Sequence, residues 1–468
     1  MHLSDRRRRR QSRAPLSLAL ALLVIAGLAA GGLVTFRAGR PPSLEVEPSL
    51  PAIGKRTVFK VLASEPKRGL TGLRVEVIQG ALTKTLVERV YPPLPPWMLF
   101  GAPPSASEVL DVAVGREVVP ELKAGEATVR VTALGAGTWL LGAPASEQVK
   151  TLPVRLTPPS LEVKSQFVYV AQGGSEAVIY RVGGSSVKDG VRAGEYWFPG
   201  YPLPGGGEGD RFAFFAVPYD LADDSKVRLV AADDVGNEVA MPFIAQFTPR
   251  PFANDTIEVT DHFMETVVPR IMASAPELED KGSLLDNYLQ INGALRRTNA
   301  ETLTALAEHS KQAFLWHGVF QRMAAKRVSA FADRRTYVYG GKDVDRQDHL
   351  GFDLASTQQA KIPAANSGVV CLAEYLGIYG NTVVIDHGYG LMTLYGHMSS
   401  LAVKVGDEVT RGQTIGQTGA TGLALGDHLH FSVLLHGLPV TPVEWWDDHW
   451  IADRIALKLG AALGYESL

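Results

Sequence analysis

In Asp427-His428-Leu429-His430-Phe431-Ser432-Val433, polar and apolar residues alternate without a break from His428 onward. A period of two is the signature of a strand with one buried face. His428 and His430 then leave on the same side, ~6.6 Å apart along the backbone, while Leu429, Phe431 and Val433 enter a core. One such imidazole can hold a divalent metal ion while its neighbour reaches the water or carbonyl beside it. The surroundings of this strand are of one kind. After Ala330 the strand-like runs are short and glycine-punctuated, and Val403-Lys404-Val405-Gly406-Asp407-Glu408-Val409 reads as a hairpin, so many short hairpins are expected.

Two further elements carry chemistry. His349-Leu350-Gly351-Phe352-Asp353 places an imidazole and a carboxylate four residues apart. On a straight strand they would be ~13 Å apart, too far to share an ion, so a bend at Gly351 is expected. Neutral imidazole and ionised carboxylate are ordinary zinc ligands, and zinc in a catalytic site keeps three protein ligands and one open position. Leu394-Tyr395-Gly396-His397 adds another imidazole at a strand end. His387 and His436, in turns, are expected to be structural hydrogen-bonders. Cys371, the single cysteine, sits in the apolar run Gly368-Val369-Val370-Cys371-Leu372 and reads as a small buried hydrophobe.

Taken in order, His349-x-x-x-Asp353, Tyr395-Gly396-His397 and His428-Leu429-His430 resemble the lysostaphin-like (LytM-type) murein zinc metallopeptidases, over roughly residues 337–447. Gly380-Asn381-Thr382-Val383-Val384-Ile385-Asp386-His387-Gly388 and Gly406-Asp407-x-Val409 belong to the same likeness. The resemblance implies that His349, Asp353 and His430 bind Zn2+, that His397 and His428 are catalytic, and that the domain is a small antiparallel β fold with an open groove. It implies a peptidoglycan endopeptidase that hydrolyses peptide cross-links. Absence of a His-Glu-x-x-His motif leaves base and acid duties to the two remaining imidazoles, their order unassigned. Phe331-Ala332-Asp333-Arg334-Arg335 departs from the Phe-Gly-x-Arg segment of many relatives, leaving Arg334 and Arg335 without a role.

Residues 1–13 form a basic tail with Arg6 to Arg10 and Arg13, followed by an uncharged apolar run over residues 14–36. A bilayer-spanning helix needs ~20 apolar residues whereas a signal-peptide core has ~7–15, so an uncleaved single-pass anchor in the cytoplasmic membrane is expected. Arginines ahead of the span place the N-terminus inside and the rest in the periplasm or extracytoplasmic space. With 46 Lys+Arg against 49 Asp+Glu, nothing in the global balance points to nucleic acid.

The remaining chain reads as β-sandwich (Ig-like) domains over residues 41–157 and 158–250, a helical linker or regulatory segment over 251–330, the β metallopeptidase domain over 331–450 and a C-terminal helix or tail over 451–468. Pro41-Pro42-Ser43-Leu44-Glu45-Val46 recurs as Pro158-Pro159-Ser160-Leu161-Glu162-Val163, the trace of a tandem repeat. The fold class is mainly β. Leu285, Leu289, Asn292, Leu295, Leu303, Leu306 and Phe314 give the helical period, and Asn299 is expected to cap a helix starting at Ala300. That segment is expected to be a connecting hairpin, with arranging the sandwiches or covering a cleft as the alternative, and the Pro-rich insertion at Tyr91 to Pro104 a semi-rigid connection packing its own aromatics, with a membrane-contacting or lid loop as the alternative. The sandwiches are expected to meet envelope protein partners. Two rivals remain: a catalytically inactive scaffold or activator of other wall hydrolases, which would lack ligands, and a biotinyl- or lipoyl-like carrier, which would need a modified lysine at a hairpin tip.

Overall fold

The computed structural model describes residues 14–98, 100–460 and 463. The basic tail, Leu99 of the Pro-rich insertion and most of the final eight residues lie outside them. Strand accounts for 43% of the chain against 18% helix, so the protein is mainly β. Its contacts divide it into two compact units, residues 1–158 with 234–237 and residues 159–233 with 238–468.

In the first unit Ala14–Phe36 is a continuous helix, uncharged throughout, exposed from Leu18 to Gly31 and partly covered over its last turn. Its 23 residues span ~34 Å at 1.5 Å each, enough for a ~30 Å hydrocarbon layer. An anchor and a signal sequence both fit that description. Two antiparallel sheets follow. One has three strands in the order Ser43–Pro48, Thr57–Ser64, Ser107–Val114, and the other has four in the order Leu82–Val90, Leu70–Gln79, Gly125–Gly135, Ala145–Val154. Alternation sets the core: Phe59, Val61 and Ala63 of one sheet meet Val75, Val77, Val129 and Val131 of the other. Each side chain of that size stabilises by ~1.5–3 kcal/mol on burial.

The second unit begins with a pair of four-stranded sheets, built on Ser175–Val182 and Asp210–Ala216 in one and Ser186–Ala193 and Val227–Asp233 in the other. Their core is continuous with that of an eight-stranded sheet farther along the chain. An aromatic seam makes the join. Phe212 and Phe314 pack on Tyr389 at centroid separations of 4.9 and 4.7 Å, and Trp445 contacts Phe214, Trp316 and Phe320.

The eight-stranded sheet positions the site. Its path runs Lys326–Ser329, Phe352–Ala355, Leu429–Leu435, Leu391–Met398, Gly380–Gly388, Gly368–Leu376, Glu408–Val409, with Leu438–Val440 paired onto Leu429–Leu435. Leu429–Leu435 is buried on both faces, where the alternation predicts one. The polar face is covered too, because helices cross it. Asp261–Ser274 is capped by Thr260, and Leu284–Glu308 is one continuous helical run with a widened turn at Ile291–Leu295. Asn299 is therefore not a cap. It lies mid-helix, and its Oδ1 accepts from the Ile378 amide at 3.0 Å. Phe314 lies beyond the helix, in the aromatic seam.

Buried charge crosses the seam. Glu444 accepts from the Ser175 amide at 2.8 Å and pairs with Arg250 at 2.9 Å, and Glu176 pairs with Lys458 at 2.8 Å. Burial pushes the Glu444 carboxyl up to about 7, outweighing the pull of Arg250. A carboxyl raised in the folded state contributes stability that is present below its unfolded value and lost as pH rises through about 7. Glu444→Gln carries no such titration. Between pH 5 and 8 the wild type should lose ~2 kcal/mol relative to Glu444→Gln, read as the difference in urea midpoints followed by tryptophan fluorescence; a difference that stays constant with pH would contradict this.

Candidate metal centre

His349 ends the strand Lys342–His349, the chain bends at Leu350-Gly351, and Phe352–Ala355 returns Asp353 into the long sheet. Asp353 is in register with His430, and Gly396 with His430 on its other side, so the strand Leu429–Leu435 holds both neighbours in place. The predicted bend therefore exists. It brings His349 Nε2 to 3.0 Å from Asp353 Oδ1, with His430 Nδ1 3.0 Å from the same oxygen and the two nitrogens 3.1 Å apart. Gly351 is needed for room as well as for the turn: a methyl group there would stand 2.6 Å from the His430 ring and from Ser432 Oγ.

Hydrogen bonds on the far side of each ring decide where the protons are. His349 Nδ1 faces the Ala330 carbonyl at 2.8 Å and must donate to it, leaving Nε2 bare. Ser432 Oγ donates to the Leu350 carbonyl at 2.8 Å, so it accepts from His430 Nε2 at 3.1 Å and leaves Nδ1 bare. Burial alone would raise the Asp353 carboxyl, but the adjacent His349 and His430 hold it well below the usual carboxylate range. Burial likewise pushes the His430 imidazole down to about 4. With both rings neutral and their protons on the outward nitrogens, three acceptors face one another. A cation reconciles them. Bonds of ~2.0–2.1 Å in a tetrahedron give edges of roughly 3.3 Å, close to the observed separations, and outward hydrogen bonds of this kind are how ligating histidines are oriented. The three residues form a cluster able to hold a metal ion.

His397 and His428 face the same cavity, which has a volume of about 240 Å³. Their ring centroids are 4.8 Å apart. Each is aimed by its Nδ1, on the Thr421 carbonyl for His397 and the Gly426 carbonyl for His428, both at 2.8 Å, so that in the neutral ring the proton sits on Nδ1 and Nε2 is the acceptor. His428 Nε2 lies 3.6 Å from Asp353 Oδ1. His397 is held at a positive φ of 62°, a conformation that costs ~1–3 kcal/mol and marks functional positions. Burial, with His428 beside it, keeps its imidazole well below the ordinary value and therefore neutral near pH 7. All five histidine and aspartate positions singled out from the sequence thus converge.

Other residues were not legible. Arg335 donates to Asp353 Oδ2 at 3.2 Å and to Ser329 Oγ at 2.8 Å, neutralising the carboxylate oxygen turned away from the cluster. Ala332 sits at φ 61° and donates to the His349 carbonyl at 2.7 Å. The helical segment is more than a connecting hairpin, since Phe263, Tyr288 and Arg296 wall the cavity opposite the ligands. His387 is the structural hydrogen-bonder expected, joined to the Ser367 carbonyl at 2.7 Å and Thr393 Oγ1 at 2.8 Å. His436 is not. It packs against the Phe198 and Tyr201 rings, and its Nε2 is buried without a partner. Burial pushes the Cys371 thiol up to about 12, consistent with a packed, unreactive side chain.

A β domain that gathers two bare imidazole nitrogens and a carboxylate beside two further imidazoles defines a hydrolase of the metal-dependent class. Residues 347–442 match the family model of Peptidase family M23. The C-terminal part of this chain is an M23 (LytM-type) peptidase domain. Over 96 residues the chain is 40% identical to DD-carboxypeptidase/endopeptidase Mpg of Neisseria meningitidis serogroup B, covering 20% of this chain and 22% of that one. Over 170 residues it is 40% identical to Peptidoglycan DD-endopeptidase ShyA of Vibrio cholerae serotype O1, covering 36% of this chain and 37% of that one. The match therefore spans well under half the length of these curated relatives. The catalytic domain of the antimicrobial peptidase lysostaphin from Staphylococcus simulans is similar at 27% identity, covering 26% of this chain and 92% of that one, with a TM-score of 0.23. The M23 family implies a metal, and the His349–Asp353–His430 cluster supplies a place for it.

Ser432→Ala should weaken metal affinity ~10–100-fold by freeing the His430 ring to rotate. Gly351→Ala should cost ~1–3 kcal/mol of stability through overpacking against that ring. Isothermal titration with Zn2+ and thermal melts check both; unchanged affinity in Ser432→Ala would show that the outward hydrogen bond does not orient the ligand.

Proposed function

We propose that this protein is a zinc-dependent peptidoglycan endopeptidase of the bacterial envelope, hydrolysing peptide cross-links in the cleft lined by His349, Asp353, His397, His428 and His430. The observation that carries this reading is the convergence of His349 Nε2, His430 Nδ1 and Asp353 Oδ1 at 3.0–3.1 Å, with the outer ring nitrogens turned to the Ala330 carbonyl and Ser432 Oγ. Such a trio suits Zn2+ with His349, Asp353 and His430 as ligands. When bound, the ion supplies Lewis-acid polarisation of a carbonyl and activation of water.

The chain's own residues do the rest. His397 and His428 each present Nε2 to the cleft with Nδ1 anchored on a carbonyl, so either can take a proton at Nε2 without turning its ring. A positioned group of this kind contributes ~10²–10⁴-fold to rate. As one imidazole gains a proton, the Asp353 carboxylate 3.6 Å from His428 Nε2 stabilises the charge. Arg335 holds the second Asp353 oxygen and keeps the carboxylate from swinging toward those imidazoles. Phe263, Tyr288 and Arg296 narrow the cleft and exclude water around the scissile bond, giving the helical segment a role in access.

The apolar helix Ala14–Phe36 serves, on this reading, as a single-pass cytoplasmic-membrane anchor with the basic tail inside and the bulk of the chain in the periplasm, where peptidoglycan is. The β-sandwich segments are available to envelope partners. An inactive scaffold or activator is disfavoured because all five polar positions are filled and converge.

Digestion of purified peptidoglycan, with products identified by mass, tests the reading alongside two variants. His349→Ala should lose both metal and activity; His397→Ala should keep stoichiometric zinc and lose activity by at least ~10²-fold. Wall fragments left intact by the zinc-loaded wild type, or full activity in His397→Ala, would overturn it.

A further inference from the structure

The end of the N-terminal helix is held rigidly by the domain that follows. Thr138 Oγ1 donates to the Thr35 carbonyl at 2.7 Å, and Trp139 Nε1 donates to Thr35 Oγ1 at 3.1 Å. From the other side, Arg37 donates to the carbonyls of Pro96 and Met98 at 3.2 and 2.6 Å. Arg68, only 3% exposed, binds all three segments at once: the Leu94 carbonyl at 3.0 Å, the Gly137 carbonyl at 2.9 Å and the Arg37 carbonyl at 2.7 Å. The helix exit, the Pro-rich insertion and the Gly137–Gly142 loop are thus one assembly level with the last turn of the helix.

What this assembly turns outward is apolar. Trp97, Phe100 and Trp139 are 67%, 88% and 78% exposed, and Met98, Leu140 and Leu141 are exposed beside them. The insertion does not pack its own aromatics, as the sequence suggests; it displays them. Clustered exposed apolar side chains in a soluble protein mark an interaction site. Two tryptophans and a phenylalanine beside the terminal turn of an apolar helix, where the chain passes from Phe36 to Arg37, have the composition of the belt that settles at the membrane–water boundary.

We infer that the Pro-rich insertion and the Gly137–Gly142 loop form a membrane-seating surface, inserting Trp97, Phe100, Trp139 and Leu140 into the outer interfacial layer of the bilayer that the helix crosses. The occupant is the lipid, argued from continuity with the helix end and from the aromatic composition. The inference rests on the anchor reading above. Its consequence is that the first β domain is docked on the membrane at a fixed tilt instead of swinging on a tether, since two loops and a helix define a plane where a helix alone defines an axis. The six prolines between Pro92 and Pro104 stiffen one of the loops, so little conformational freedom is lost on insertion.

The test uses the full chain reconstituted in nanodiscs of phosphatidylcholine and phosphatidylglycerol, with and without lipids bearing a doxyl quencher near the head group. Wild type should lose tryptophan emission to the quencher, and Trp97→Gln/Trp139→Gln should show at least threefold less quenching, the other five tryptophans lying in the second unit. Phe100→Asp/Leu140→Asp, which keeps both tryptophans, should cut quenching at least twofold. Both variants change exposed side chains, and circular dichroism checks that they fold. Carbonate extraction and intact mass separate the two ideas. A chain that is cleaved or leaves the bilayer overturns the anchor; a chain that stays embedded while Trp97 and Trp139 are unquenched overturns the seating surface and leaves a protein partner as its occupant.

Discussion

Three lone pairs, on His349 Nε2, His430 Nδ1 and Asp353 Oδ1, meet within 3.1 Å of one another with every nearby proton directed elsewhere. Without a cation this arrangement of neutral imidazoles and a carboxylate, each less than a tenth exposed, is repulsive. Much of the C-terminal sheet can be understood as the apparatus that holds it. Ala330 and Ser432 claim the outward protons, Gly351 leaves space for the His430 ring, and Arg335 balances the carboxylate from behind.

That apparatus is stiff because its strand is central. Leu429–Leu435 has neighbours on both edges and cover on both faces, so its side chains have one packing arrangement available. One face enters the core shared with the preceding sheets through the Tyr389 and Trp445 aromatic seam. The other carries His430 and Ser432 toward the cleft, under helices whose Asn299 and Asn292 are tied to Ile378 and Asp345. His430 on this strand, with Asp353 in register beside it and the His397 and His428 imidazoles on its flanks, has the rigid support that a metal site requires.

Local pattern revealed the parts whose cause is local. Alternation from His428 to Val433 is enough to put His428 and His430 on one side, and the His-x-Gly-x-Asp spacing from His349 to Asp353 demands a turn. Ser432 was equally readable, two residues beyond His430 on the same face, although its task depends on the distant Leu350 carbonyl. What remained hidden depends on contacts remote in sequence. Asn299 carries the chemistry of a helix cap, but a partner 79 residues away claims its side chain and the helix runs through it. Arg335 and Asp353 meet only because two sheets abut, and Arg68 becomes a hub only once three loops have folded around it. His436 carries no mark in the sequence of the aromatic pocket that buries it.

The most direct measurement is X-ray absorption spectroscopy at the zinc edge on the full chain loaded with one equivalent of Zn2+. A first shell of two imidazole nitrogens and one carboxylate oxygen at ~2.0–2.2 Å, completed by a light exchangeable ligand, is the expected result. A six-oxygen shell, or a single imidazole, would contradict the convergence of His349, Asp353 and His430 on one ion.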